Sequence, residues 1–239
     1  MKRFIIILVA ILLILTGCQA LSEQEHKEPV LSTGDEMSHG TPPKSISLYE
    51  FDELIRIKKI VELNNENDLQ SVAHEYNLES GADIINFLEI IESIPVLKLF
   101  DGQIIYIGYQ WPISENNTIG GELSTATQNL GIAYITIQAK DGSWFRINYW
   151  LKNKDMALED IIGASNRNTS LLKTPFLAAN SRCYVYHETR EPHPTESGDV
   201  ITWSAVVDGI PVMIKYYSEN ANTVKTETVF NNAIIGDLQ

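Results

Sequence analysis

Two Asp-Gly pairs, Asp141-Gly142 and Asp208-Gly209, each stand between runs rich in β-branched and aromatic residues. Such pairs favour the tight turns that join antiparallel strands, because their central residues tolerate positive φ. Side chains alternate strictly along a strand, so the apolar pattern selects the loop length. A two-residue turn at Asp208-Gly209 sets Ala205 against Val212, Trp203 against Ile214 and Ile201 against Tyr216 on one face, and Thr202 against Lys215 on the other. The same turn at Asp141-Gly142 would set Ile137 against Arg146. A three-residue loop, Lys140-Asp141-Gly142, instead sets Ile137 against Phe145, Ile135 against Ile147 and Thr136 against Arg146, and requires Gly142 in the left-handed region.

Strands are expected at 103–109, 132–139, 143–151, 183–190, 200–207 and 210–217, with Thr223–Phe230 as a further candidate. The two hairpins read as parts of one sheet or as a diverged repeat, and their differing loops speak against the repeat. Residues 112–131 and 152–182 read as polar connections, with a short helix near Ala157–Ile162 that Asp155 can cap.

The preceding segment has helical periodicity. Ser47 and Glu50 have capping-box spacing, and Ile46 and Phe51 that of a hydrophobic staple. Phe51, Leu54, Ile55, Ile57, Val61 and Leu63 continue as a stripe. Asn67 and Gln70 signal a second start, Leu69, Val72, Ala73 and Tyr76 line that helix, and Asn77 suits a left-handed stop. Ser80 opens a third helix, in which Ile84, Ile85, Phe87, Leu88 and Ile91 predict deep burial. Pro95 ends it, since proline disfavours helix at Ile94. The fold class is therefore α+β: two or three N-terminal helices packed on a mainly antiparallel β-sheet.

Ahead of this body, residues 18–44 are rich in Glu, Pro and Gly and too poor in apolar residues to fold alone. As a flexible coil they span roughly 25–30 Å. Earlier still, Lys2 and Arg3 precede an unbroken apolar run from Phe4 to Leu15, and small residues follow. This is the layout of a secretory signal, and the run is well short of the roughly 20 residues that cross a bilayer.

Leu15-Thr16-Gly17-Cys18 resembles the lipobox of bacterial lipoproteins. The resemblance implies cleavage between Gly17 and Cys18 and a diacylglyceryl group on the Cys18 sulfur. The expected organisation is a signal peptide at 1–17, a lipidated tether at 18–44 and one extracytoplasmic domain at 45–239. The alternatives are an ordinary secretory signal and an uncleaved anchor. Each buried CH₂ contributes roughly 0.8 kcal/mol, and two acyl chains hold where one is marginal. The expected partner is the bilayer, reached through diacylglyceryl-Cys18, at the extracytoplasmic face of a cell membrane. Gln19 offers no inner-membrane retention signal of the Asp type.

The chain carries 18 basic and 31 acidic residues, a net charge of −13. The leader holds two of the basic residues and none of the acidic ones, so the mature body, 16 against 31, stands at −15. That charge argues against nucleic acid, which needs a basic footprint, and against direct adsorption to anionic headgroups. With Cys18 taken by lipid, Cys183 has no partner. Its place in Cys183-Tyr184-Val185-Tyr186 reads as a small buried strand residue.

No G-x-S-x-G elbow, S-x-x-K set, phosphate-binding loop, dinucleotide fingerprint or Asp-x-Asp-x-Asp-Gly calcium loop appears. His187-Glu188 and Glu191-Pro192-His193 are the dense ligand cluster. His187 and His193 are the metal candidates, and an ionisable strand end is the plainer reading. His74 reads as a surface or edge residue, His26 and His39 lie in the tether, and Asp155, Glu159 and Asp160 read as a solvated helix start. No catalytic residue and no cofactor is assigned. Trp144 and Trp150 fall on the face opposite Phe145 and Ile147. They are the binding candidates if that face meets solvent, against plain cross-strand packing.

The function expected from this pattern is a membrane-tethered extracytoplasmic binding or accessory domain of the cell envelope, recognising an envelope protein or a small ligand. The alternative is an envelope hydrolase whose site is scattered in sequence, since catalytic groups are recognised by geometry rather than order. A deep cleft with perturbed acids would favour the hydrolase, and a flat aromatic face would favour binding. A two-lobed solute receptor fits less well with antiparallel signals.

Overall fold

The structure, a computed structural model of the chain, describes residues 43–112, 130–151, 171–193 and 198–238. Strand β1 (Ser45–Leu48) is followed by three helices, α1 (Phe51–Leu63), α2 (Glu66–Glu75) and α3 (Gly81–Ser93). Then come β2 (Val96–Lys98), β3 (Gln103–Gln110), β4 (Gly131–Gln138), β5 (Trp144–Leu151), β6 (Leu171–Ala178), β7 (Cys183–Pro192), β8 (Asp199–Val207) and β9 (Ile210–Ser218). A 3₁₀ turn at Ala221–Thr223, helix α4 (Thr226–Asn231) and β10 (Ile234–Gly236) complete the described chain. The fold is mixed α+β and dominated by strands.

Eight strands form one antiparallel sheet in the order β1-β3-β4-β5-β9-β8-β7-β6, and β10 pairs with β2 in a separate ribbon. The two hairpins are thus parts of one sheet, joined where β5 pairs with β9. Both registers agree with the sequence pattern. Ile137 faces Phe145, Ile135 faces Ile147 and Thr136 faces Arg146. Ala205 faces Val212, Trp203 faces Ile214 and Thr202 faces Lys215. The loops agree as well. Gly142 has φ +86° in a three-residue loop closed by Ala139 N–H to Ser143 C=O at 2.8 Å, and Asp208 and Gly209, at φ 47° and 82°, form a two-residue type I′ turn.

One face of the sheet carries the core. Ile135, Ile137, Phe145, Ile147, Tyr149, Trp203, Val212 and Ile214 are 0–1% exposed and share one buried cluster with Leu54 and Ile57 of α1, Leu69 and Val72 of α2, and Ile84, Phe87 and Ile91 of α3. Each such aliphatic or phenyl side chain contributes roughly 1.5–3 kcal/mol by leaving water. Ile85 is only half-buried, and Leu63 is exposed. Tyr149 ties the helix side to the sheet, its hydroxyl accepting the Leu97 N–H at 3.2 Å.

Helix ends follow local chemistry. Ser80 and Asp83 form a reciprocal capping box on α3, and Ile94, before Pro95, turns to extended backbone. Asn77 is left-handed at φ 56° after α2, with Asn77 N–H to His74 C=O and Leu78 N–H to Ala73 C=O. That pair of bonds is a Schellman stop.

Several expectations are corrected. Ser47 and Glu50 form no capping box and Ile46 no staple, because Ser45–Leu48 is an edge strand paired with β3 that buries Ile46 and Leu48. The run Ser-Ile-Ser-Leu has period two, which sheet pairing satisfies and a helix does not. A strand therefore precedes the helices, and α1 begins at Phe51 with no side-chain cap. Asn65, not Asn67, caps α2, its side chain accepting the Asn67 N–H at 3.1 Å. Thr223–Phe230 is not a strand: it spans the end of the 3₁₀ turn and most of α4. The stretch 152–182 contains β6. Strands β2 and β10, three residues each, gave no sequence signal. The helix expected at Ala157–Ile162, and most of 112–131, lie outside the described residues.

Candidate functional site: the second face of the sheet

The face of the sheet away from the core is built by the alternate residues of the same strands. On β5 these are Trp144, Arg146, Asn148 and Trp150, all half-buried. The two sequence candidates, Trp144 and Trp150, therefore share this face. They do not form one patch: six residues of extended chain separate them by about 20 Å. What lies between them, Arg146 and Asn148, is the more informative part.

Arg146 sits in a row that crosses the sheet from Tyr106 of β3 through Thr136 of β4 to Lys215 of β9 and Thr202 of β8. A β-bulge between Ile104 and Tyr106 turns Tyr106 onto this face. The Arg146 guanidinium lies 5.0 Å from the Tyr106 ring centroid, and its Nε donates to Thr136 Oγ1 at 3.0 Å. Ser47 Oγ and the Tyr106 hydroxyl are 2.9 Å apart and share a hydrogen bond, and the Tyr134 hydroxyl donates to Gln110 Oε1 at 3.0 Å. These contacts hold the ring and the guanidinium in place.

On the other side Arg146 faces a second cation, Lys215, directly across the β5–β9 pair. Burial, and next the field of Arg146, lower the Lys215 ammonium below its ordinary value, with Glu191 pulling the other way. One step along the strands, Trp144 and Tyr217 stack with centroids 5.8 Å apart and planes 22° from parallel. One step the other way, Asn148 Oδ1 is buried without a hydrogen-bond partner among the described residues. The face thus joins aromatic rings, two adjacent cations and an orphan acceptor.

The metal candidates do not converge. His187 is 2% exposed opposite Ser204 on this face, and burial lowers its imidazole below its ordinary value, with Glu188 pulling it up. His193 packs edge-on against the Tyr217 ring at 4.9 Å. Six strand residues separate the two histidines, again about 20 Å. Among the described residues no three His, Cys, Asp or Glu side chains gather as a metal-binding group.

Glu188 is turned to the other face. A bulge between Val185 and His187 shifts the register of β7, so that Glu188 meets Trp203 and Arg190 meets Ile201 on the core side. Glu188 Oε2 accepts from Trp203 Nε1 at 3.1 Å and from the Thr226 hydroxyl, and Oε1 accepts from Arg190 Nε at 2.5 Å. Arg190 also donates to the Ala221 and Val224 carbonyls at 2.9 and 2.8 Å. Burial opposes the charge of this carboxyl, but the bonds from Arg190, Thr226 and Trp203 outweigh it and hold Glu188 below its usual range. This clasp fastens the 3₁₀ turn and α4 to the sheet.

Cys183 is buried on β7, its thiol pushed up to about 12 by burial and then by Asp208. Cys18 and Gly17 lie outside the described residues, and among those described no helix is long and apolar enough to cross a membrane. Sequence reasoning passed over the Arg146–Lys215 pair. Its hairpin registers placed both residues on this face, but only the pairing of β5 with β9, 69 positions apart at these two residues, makes them neighbours. No family model, curated protein or solved structure matches the chain.

Proposed function

We propose that this chain is a lipid-anchored, extracytoplasmic binding protein of the bacterial envelope, holding its ligand or partner on the second face of the sheet. The lipobox-like Leu15-Thr16-Gly17-Cys18, the leader before it and the polar tether after it support the anchoring. The observation that carries the binding role is the alternation of Trp144, Arg146, Asn148 and Trp150 on β5. It places rings and polar groups on the face opposite the one that carries the helix-packed core. Aromatic side chains of this kind offer large contact area with few rotatable bonds. A hydrolase reading finds its nearest pair in His187 and Ser204, cross-strand neighbours, but both are 2–3% exposed and a substrate would not reach them.

Two measurements on the full chain, expressed in a bacterial host, test this reading. Intact mass of the purified product is expected to show loss of residues 1–17 and addition of a diacylglyceryl group, with the chain in the membrane fraction. Cys18→Ser is expected to abolish both. An uncut, unmodified product refutes the anchoring. Retention of envelope material by the immobilised chain is expected to fall when Trp144 and Trp150 are both replaced by alanine, and unchanged retention refutes the binding face.

A further inference from the structure

We propose that the ligand held on this face is an acidic glycan, its carboxylate or phosphate seated between Arg146 and Lys215 and its sugar ring packed beside Trp144. The inference rests on the binding-face reading above and goes further, naming the chemical class that the face accepts.

The argument starts from a cost. Like charges directly opposite each other on neighbouring strands are destabilising, and cross-strand Cβ atoms on one face are only about 5 Å apart. Arg146 and Lys215 occupy such a position, and both are half-buried, where water screens them less. Twenty acids lie within the described residues and could neutralise them. Yet none of the ion pairs among the described residues includes either cation: those pairs join Lys44 to Asp83, Arg56 to Glu75, Lys58 to Glu92, Arg182 to Asp208 and Arg190 to Glu188. Glu191 reaches Lys215 only through its field. Two cations kept together with no paired acid among the described residues form a seat for an anionic group.

The geometry suits oxyanions. Arg146 uses Nε on Thr136 and its π-face on Tyr106, and among the described residues its two terminal nitrogens have no hydrogen-bond partner, while the contacts behind them fix their direction. A guanidinium so oriented can meet a carboxylate or phosphate with two parallel hydrogen bonds, while the lysine ammonium supplies a point charge. Positions two apart on a strand are about 7 Å apart on one face. Trp144 therefore stands one step from Arg146, close enough for a single sugar ring to carry its acid to the cations while its apolar side meets the indole.

Titration calorimetry on the full chain tests this with three probes: trigalacturonate for the carboxylate, glucose 1-phosphate for the phosphate, and neutral galactotriose. At least one acidic probe is expected to bind while the neutral one does not. The Arg146→Gln/Lys215→Gln double variant is expected to lose that binding by about tenfold or more, as the charge-assisted bonds go. Its fold is checked by circular dichroism, and Lys215→Gln alone, which removes the like-charge opposition, serves as the variant expected to fold fully. Equal binding of neutral and acidic probes overturns the proposal, as does acidic binding unaffected by the double variant, or no acidic binding at all. Neutral binding that falls with Trp144→Ala would overturn the acid assignment and leave the binding face standing, so the two failures are distinguishable.

Discussion

Replacing Glu188 with alanine removes the acceptor at the centre of the clasp between β7, β8 and α4. Three donors lose a charged partner: Trp203 Nε1, the Thr226 hydroxyl and Arg190 Nε. Only the Thr226 hydroxyl proton is left without an acceptor, since the other two side chains keep partners. Trp203 Nε1 still reaches Thr226 Oγ1 at 2.9 Å, and Arg190 still meets the carbonyls of Ala221 and Val224. The cost is therefore less than stranding a buried charge. Bonds to a charged group contribute about 1.5–3 kcal/mol each when intact, so after this partial rescue the loss at neutral pH is about 3 kcal/mol. For a body of this size that lowers the melting temperature by about 6–12 °C. Glu188→Gln keeps the shape and one carbonyl acceptor but loses the Arg190 ion pair, whose partners are 17% and 31% exposed, and is expected to lose roughly half as much. The pH dependence follows from the depressed folded-state value. The carboxylate stabilises fully above its unfolded value of 4.5 and stops doing so as pH falls through the lower folded value. Thermal unfolding followed by circular dichroism is the assay, at pH 7 and then at steps below pH 5. The gap between wild type and Glu188→Ala is expected to narrow in acid toward the gap between the Gln and Ala variants, which is expected to stay constant. A Glu188→Ala variant as stable as wild type at pH 7, or a gap that ignores pH, would refute the reasoning.

Two further perturbations probe the scaffold of the binding face. Gly209→Ala places a side chain at φ 82° in open space, with nothing within 4 Å of the new Cβ, so its cost is conformational alone: about 1 kcal/mol, read as a lowered urea midpoint with unchanged slope. Tyr149→Phe leaves the Leu97 N–H without its buried acceptor at 3.2 Å and is expected to destabilise by about 1–3 kcal/mol, with faster amide exchange at Leu97 as its signature.

Much of this molecule was fixed locally. Positive φ at Gly142 and Gly209 and the alternation beside them set two hairpin registers, since a slip of one residue would turn every apolar side chain to the wrong face. Ser80, Asn77 and Pro95 set helix ends through bonds made within a few residues. The opposite orientation of Trp144 and Phe145 also follows from strand alternation alone. Tertiary structure decided the rest. Ser45–Leu48 became a strand because β3 offered a pairing edge, and Glu188 turned to the core because of a bulge that alternation cannot foresee. Arg146 and Lys215 became neighbours because β9 returned to pair with β5. Local bonding is written in adjacent residues. Which distant strands share hydrogen bonds depends on how the whole sheet buries its apolar face, and that joint minimum belongs to the chain as a whole.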